Sequence, residues 1–294
     1  MIDSSAADLR DRLDGRLVAA ALTPRRPDSA VDPSLLDRYF AGLVDDGVEG
    51  LAIAAHTGRG PYLGGTEREG VIHSATRFGV PVLVGVGGAR SAAIEQARQA
   101  AALGAHALLV FPVPEEAVAY HDALWRAAGL PLIAFDLYLR PYPESTLHEL
   151  LRHPGVAGLK VARLHDAIAC QAGIAAARAE ERLAITGEDR MFGPSLMWGA
   201  EAALVGLAAA AVGVTLDTVR AWRERRFTDF VAASARTDEL ARLTFRPPYD
   251  GYVQRMQWIA AAEGRIPPDC ATDPQAPDLA DGEQERVTRH AQSL

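Results

Sequence analysis

From Leu17 to Val205, short apolar runs of strand length alternate with stretches of helical periodicity, and the alternation repeats eight times. No other feature restricts the fold as strongly. The strand candidates are Leu17–Leu22, Val48–Ala54, Val80–Gly85, Ala107–Phe111, Leu130–Asp136, Val156–Val161, Leu183–Thr186 and Ala202–Val205. Between them lie helical stretches at Pro33–Asp46, Thr66–Phe78, Ser91–Leu103, Glu115–Ala127, Glu144–Leu151, His165–Ala179 and Met191–Gly199. Strand followed by helix, repeated, builds βα units whose strands run parallel beneath crossover helices. In 294 residues, eight such units favour a closed (β/α)8 TIM barrel over an open doubly wound sheet. Local signals agree. Asp32 precedes Pro33 as a helix cap with proline at the first helical position, and Thr66 precedes Glu67 and Glu69. Gly47, Gly79, Gly104 and Gly129 each close a helix ahead of the next strand.

Beyond Val214 the pattern becomes helical alone, with Leu216–Arg225, Phe227–Leu243 and Pro248–Ala262 reading as an appendage. The expected organisation is a barrel with a short N-terminal arm over residues 1–214, a helical region over 215–266 and a flexible tail over 267–294. The tail has several Pro and Asp and little apolar periodicity, so it is expected to carry no chemistry.

Composition narrows the function. With 49% hydrophobic and 23% charged residues, the chain has the balance of a soluble globular core. A formal charge of −8 without a basic run argues against nucleic acid as a partner. The N-terminus lacks an apolar signal core, and the longest uncharged apolar run, Ala202–Val214, is too short to span a bilayer, so no membrane partner is expected. Cys170 and Cys270 lie far apart and form no CxxC or zinc-type cluster, which suits a reducing, cytoplasmic setting. Neither H-x-H after the first strand nor H-E-x-x-H is present. Gly85-Val86-Gly87-Gly88-Ala89-Arg90 fails the dinucleotide fingerprint at Arg90 and reads as a tight βα turn near the barrel mouth.

Chemistry in a barrel of this kind sits at the C-terminal ends of the strands. The sixth strand candidate ends on Lys160, the sole lysine in a chain with 30 lysines and arginines. A primary amine condenses with a carbonyl to a Schiff base, and desolvation lowers its pKa toward the reactive neutral form. Arginine cannot do this. The alternative is an ordinary strand-end lysine paired with an acid, but a chain that writes its other cations as arginine leaves that alternative without a reason for the exception.

Several motifs in order carry a resemblance: Val18–Pro24 (VAAALTP), Ala55–Arg59 (AHTGR) with Leu63, Val82–Gly87 (VLVGVG), Pro131–Arg140 (PLIAFDLYLR), Gly158–Lys160 (GLK) and Gly187–Asp189 (GED). From about Gly15 to Pro268 the chain resembles the dihydrodipicolinate synthase and N-acetylneuraminate lyase family, the pyruvate-type class I aldolases and dehydratases. The resemblance implies that Lys160 attacks the 2-oxo group of pyruvate or a related acid. It implies that Thr57 and its backbone neighbours hold the carboxylate, and that Arg140 meets a second acidic group at the mouth. It also implies a homo-oligomer, a dimer or tetramer, and chemistry that needs no metal or organic cofactor.

The chain departs from the family pattern at informative places. Phe135 stands where the family keeps its proton-shuttling tyrosine, and a phenyl ring has no proton to give. His56 replaces a loop threonine, Arg59 a glutamate, and Val113-Pro114 a tyrosine pair. These departures argue against authentic dihydrodipicolinate synthesis while leaving Schiff-base chemistry open. Tyr138, Asp136 and His56 are candidates for the missing relay, imidazole having the most suitable ordinary pKa. The candidate site is therefore Lys160, His56 and Tyr138 for chemistry, with Thr57, Gly58, Arg59, Phe135, Arg140 and Gly187 against the substrate. The expected function is a Schiff-base lyase of aldolase or synthase type acting on a 2-oxo acid, with an aldehyde as the second reactant. The alternatives are a 2-oxo sugar-acid dehydratase, or an inactive barrel that binds a small acid or a protein partner.

Overall fold

Eight parallel strands hydrogen-bond in sequence order and close on themselves in the computed structural model, which describes residues Met1 to Leu294. The strands are β1 (Leu17–Ala20), β2 (Gly50–Ile53), β3 (Val82–Val86), β4 (Ala107–Val110), β5 (Leu132–Leu137), β6 (Val156–Ala162), β7 (Leu183–Thr186) and β8 (Ala202–Val205). Closure is made by β8 against β1, with Leu17 opposite Ala203. Helix α1 (Ser4–Leu13) precedes the barrel. Then α2 (Pro33–Asp45), α3 (Gly65–Ala75), α4 (Arg90–Ala102), α5 (Ala117–Ala128), α6 (Glu144–Leu151), α7 (Ala167–Ala179) and α8 (Phe192–Met197) alternate with the strands. The (β/α)8 reading and the count of eight units hold. β7 and β8 match the apolar runs, and the other six strands are trimmed, extended or shifted by one or two residues at their ends.

Strand side chains alternate between two cores. Val18, Ala20, Leu83, Leu109, Ile133, Phe135 and Leu204 point inward, while Leu51, Val84, Leu108 and Leu159 face the helices. On β5 this places Phe135 inside and Asp136 outside. Asp136 is buried against the helix layer, where it accepts from the Tyr142 N–H at 3.0 Å and from Arg163 Nη1 at 3.1 Å. It is thereby removed from the candidates for a proton relay. Helix α1, with Asp3 capping through its side chain at 3.0 Å from the Ser5 N–H, sends Ala6, Leu9 and Leu13 into the inner core. Each buried leucine contributes about 1.5–3 kcal/mol. The plug closes the N-terminal end of the barrel and leaves the opposite end for chemistry.

After the barrel come α9 (Val212–Arg223), α10 (Phe227–Thr244), α11 (Tyr252–Ala262) and α12 (Glu283–Ala291). The last of these corrects the expectation of a flexible tail over 267–294. That stretch lacks apolar periodicity because polar groups anchor it. Gln254 of α11 donates to the Ala271 carbonyl and accepts from the Asp273 N–H, both at 2.8 Å. Arg255 meets Glu283 at 2.7 Å with both side chains almost fully excluded from solvent. Val287 adds a buried apolar contact.

Candidate active site

Lys160 owes its direction to an irregularity in β6. Leu132 pairs with Val156 but Ile133 pairs with Gly158, so Ala157 is an extra residue. A bulge of this kind re-aims the side chains that follow it. Ala157 faces inward, yet Leu159 and Val161 face the helices, so the phase slips and Lys160 turns into the barrel. Directly across the ladder lies Phe135, and the Lys160 Nζ sits 4.2 Å from the centroid of its ring. On the other flank, a Cβ at position 187 would overlap the Lys160 Cε and Cγ, so Gly187 leaves the lysine room to extend.

The amine is buried, with 4% of Lys160 exposed, and burial pushes its pKa down from 10.5 to about 8 against the opposing pull of Asp189 and Glu188. Those two carboxyls are themselves buried. Desolvation and the neighbouring Asp189 push Glu188 up to about 8, which keeps it protonated at neutrality. Asp189 is pushed up by burial, with the Leu207 N–H donating to Oδ1 at 2.8 Å and Lys160 favouring its charged form. The three groups line one small buried cavity.

The loop after β2 supplies the facing wall. Its backbone is strained at Ala54 (φ 48°) and Arg59 (φ 52°), conformations that cost a non-glycine residue about 1–3 kcal/mol. The strain is held by buried Arg68, which donates to the Gly60 carbonyl at 2.8 Å and to the Gly85 carbonyl at 2.6 Å, tying the loop to β3. The Gly85–Gly88 turn thus lies at the mouth, as the sequence reading expected. His56 enters the cavity from this loop; its enclosure and the charges of Lys160 and Arg59 push its imidazole down to about 3. It is therefore a neutral ring, not an imidazolium reservoir. Thr57 is buried beside it and accepts from the Tyr252 hydroxyl at 2.9 Å.

One cavity of about 30 Å³ collects His56, Thr57, Phe135, Tyr138, Lys160 and Gly187 from the expected set. A larger cleft of about 560 Å³ shares His56 and Leu137 with it and is lined by Arg59, Arg140, Phe111 and Leu139. Three expected residues stand apart from the lysine. Gly58 packs into the barrel wall, where its carbonyl accepts from Thr23 at 2.9 Å. Arg59 is not a free cation, because Asp273 holds it at 2.6 Å and the Asp250 carbonyl accepts from it at 2.8 Å. Arg140 lies exposed on the rim and pairs with Glu115 at 2.7 Å. Four residues of this region escaped the sequence reading: Glu188, Asp189, Tyr252 and Asp273. The Gly187–Asp189 motif was a signal for the first two. Nothing local marked the others, which arrive from the C-terminal helices and the supposed tail.

Fold and site together define a closed (β/α)8 barrel with a desolvated amine at the inner wall of its sixth strand. The chain belongs to the dihydrodipicolinate synthetase family, whose model matches residues 14–290. A 4-hydroxy-tetrahydrodipicolinate synthase of Prochlorococcus marinus (strain MIT 9313) is 38% identical over 173 residues, covering 54% of this chain and 57% of that protein. One of Xanthomonas axonopodis pv. citri is 32% identical over 210 residues, covering 67% of this chain and 68% of that protein. The matched region spans about three fifths of the length of several such relatives, 57% in one and 62% in another. Among solved structures, dihydrodipicolinate synthase from Oceanobacillus iheyensis superposes with a TM-score of 0.87 at 17% identity, covering 98% of each chain. The sialic acid aldolase of Ruminococcus gnavus gives 0.83 at 20% identity, covering 96% of each. At these identities the structural likeness establishes the fold. No helix is long and apolar enough to cross a membrane.

Proposed function

We propose that the chain is a Schiff-base-forming lyase of aldolase or synthase type, acting on pyruvate or a related 2-oxo acid through Lys160. The observation that carries this reading is the state of the amine: it is buried, shifted toward its neutral form, and aimed into a cavity at the C-terminal end of a barrel strand. A neutral amine attacks a carbonyl, and the resulting protonated imine draws electrons from the adjacent carbon. In this reading neutral His56 and the backbone amides of His56 and Thr57 hold the substrate carboxylate. Arg140, at the rim of the larger cleft, meets an acidic group farther along the substrate. Arg59 is committed to Asp273 and acts by shaping the loop. Tyr138, half-buried with its ring 6.3 Å from that of His56, flanks the approach to the imine.

Phe135 and Val113-Pro114 support a reaction other than the dihydrodipicolinate condensation named for the relatives. Glu188 supports the dehydratase alternative within the same class, since a carboxylic acid that stays protonated at neutral pH can deliver a proton to a departing hydroxyl.

The pH dependence of imine formation tests the proposal. The lysine is depressed, so its neutral fraction should be half-maximal near pH 8 and close to saturation by about pH 9–10, where an unshifted amine would still be mostly protonated. Initial rates of pyruvate adduct formation, quenched with borohydride and read by intact mass, should pass their midpoint near pH 8 and level off by about pH 10. A rate still climbing past pH 10 would contradict a desolvated amine.

A further inference from the structure

We propose that Tyr252, carried by α11 outside the barrel proper, supplies the phenol that strand β5 lacks, passing its proton through Thr57 to the reacting centre. The proposal rests on the Schiff-base reading of Lys160 and adds a positioning residue to it.

Several observations converge. Phe135 puts a bare ring under the lysine, so no hydroxyl reaches the amine from β5. The Tyr252 hydroxyl lies 2.9 Å from Thr57 Oγ1 and 3.4 Å from His56 Nδ1, and its side chain shares the wall of the Lys160 cavity. Its ring is fixed by stacking on Phe245, with centroids 4.5 Å apart and planes at 21°. At the end of β8, a Cβ on Gly206 would stand 3.3 Å from the tyrosine ring and 3.4 Å from Thr57 Oγ1, so glycine there admits both groups. Thr57 accepts the tyrosine proton and has no protein acceptor for its own, which leaves its O–H free to point into the cavity. Tyr138, the other phenol in this wall, makes no side-chain hydrogen bond and sits half-exposed farther out.

The chemistry balances around one proton. In the carbinolamine formed from Lys160 and the 2-oxo carbon, the C–O bond breaks while the nitrogen lone pair closes the C=N bond. The hydroxyl leaves as water with the Thr57 proton, and Tyr252 refills Thr57, giving a protonated imine paired with a phenolate. The phenolate then recovers a proton from C3 by the same route, the C–H electrons form the enamine double bond, and the imine nitrogen becomes neutral. Burial disfavours the phenolate, so it exists only against the iminium charge it accompanies. His56, held neutral, steadies the phenol without competing as an acid.

The test needs no second substrate. Exchange of the pyruvate methyl protons in D2O, followed by proton NMR, reports enamine formation directly. In Tyr252→Phe, maximal exchange should fall about 10²-fold, within the range of acid–base contributions. The pyruvate concentration for half-maximal rate should stay within about threefold, and borohydride should still trap the adduct at Lys160. Adding Phe135→Tyr to Tyr252→Phe should restore at least tenfold, because a phenol is returned to the lysine from the other side. Unchanged exchange in Tyr252→Phe, or a loss that Phe135→Tyr does not relieve, would overturn the relay alone. Failure of the unaltered chain to form any adduct would instead overturn the Schiff-base reading and the relay with it.

Discussion

Lys160→Met should reduce turnover of a 2-oxo acid substrate, and pyruvate methyl exchange with it, by more than about 10³-fold, since no other side chain can form the imine. Lys160→Arg should do no better: it keeps the charge and loses the nucleophile. The loss should not reflect unfolding. A buried ammonium carries a desolvation cost, and its depressed pKa shows that the attraction of Asp189 and Glu188 does not fully offset it. Replacing it with a thioether of similar length removes that cost, and the Asp189 carboxyl, already pushed up by burial, is left to take up a proton instead of standing as a stranded charge, so the thermal midpoint of Lys160→Met should be little changed. Activity within tenfold of the unaltered chain would remove the lysine from the mechanism.

The second large effect concerns stability. Arg255 is wholly buried on α11, bonded to Glu283 at 2.7 Å and donating to the carbonyls of Thr244, Arg246 and Pro248 at 3.0, 2.9 and 3.1 Å. One side chain thus joins the end of α10, the turn that follows, and the C-terminal helix. In Arg255→Met a buried carboxylate loses its partner and three carbonyls lose a donor, a loss of about 3–5 kcal/mol. Urea midpoints should fall accordingly, and limited proteolysis should cut first near α12. Removing the stranded charge as well, in Arg255→Met with Glu283→Leu, should return much of the loss, because the larger part of the penalty is the unpaired carboxylate. A destabilisation under about 1 kcal/mol would show that the pair is structurally idle. Tyr252 lies three residues earlier on the same helix, so this ion pair also holds the cavity wall.

Different parts of this molecule were legible to different degrees. Eight strand-length runs, each followed by a helical stretch, leave few alternatives to a closed barrel, and the solitary lysine stands out in the sequence on the strand that becomes β6. The ladder sets Lys160 opposite Phe135, the position that the resemblance assigned to the family's tyrosine. The bulge at Ala157 was not legible, because period-two reasoning assumes an unbroken strand. Tyr252 was not legible either. It contacts Thr57 across 195 positions of chain, and only the packing of α11 over the rim brings them together. Arg59 read as a cation for substrate because its partner, Asp273, belongs to a stretch with no apolar pattern. A tail anchored by buried hydrogen bonds and ion pairs looks, in composition, like one that is not anchored at all.

Everything proposed for the site depends on Lys160 forming an imine with a 2-oxo acid. Incubation with pyruvate and borohydride, followed by intact-mass measurement and peptide mapping, tests it most directly, because Lys160 and the N-terminus are the only primary amines in the chain. One reduced pyruvate per chain is expected, carried on the peptide containing Lys160 and absent from Lys160→Met. An adduct that persists in that variant, or no adduct with pyruvate or any other 2-oxo acid, would contradict it.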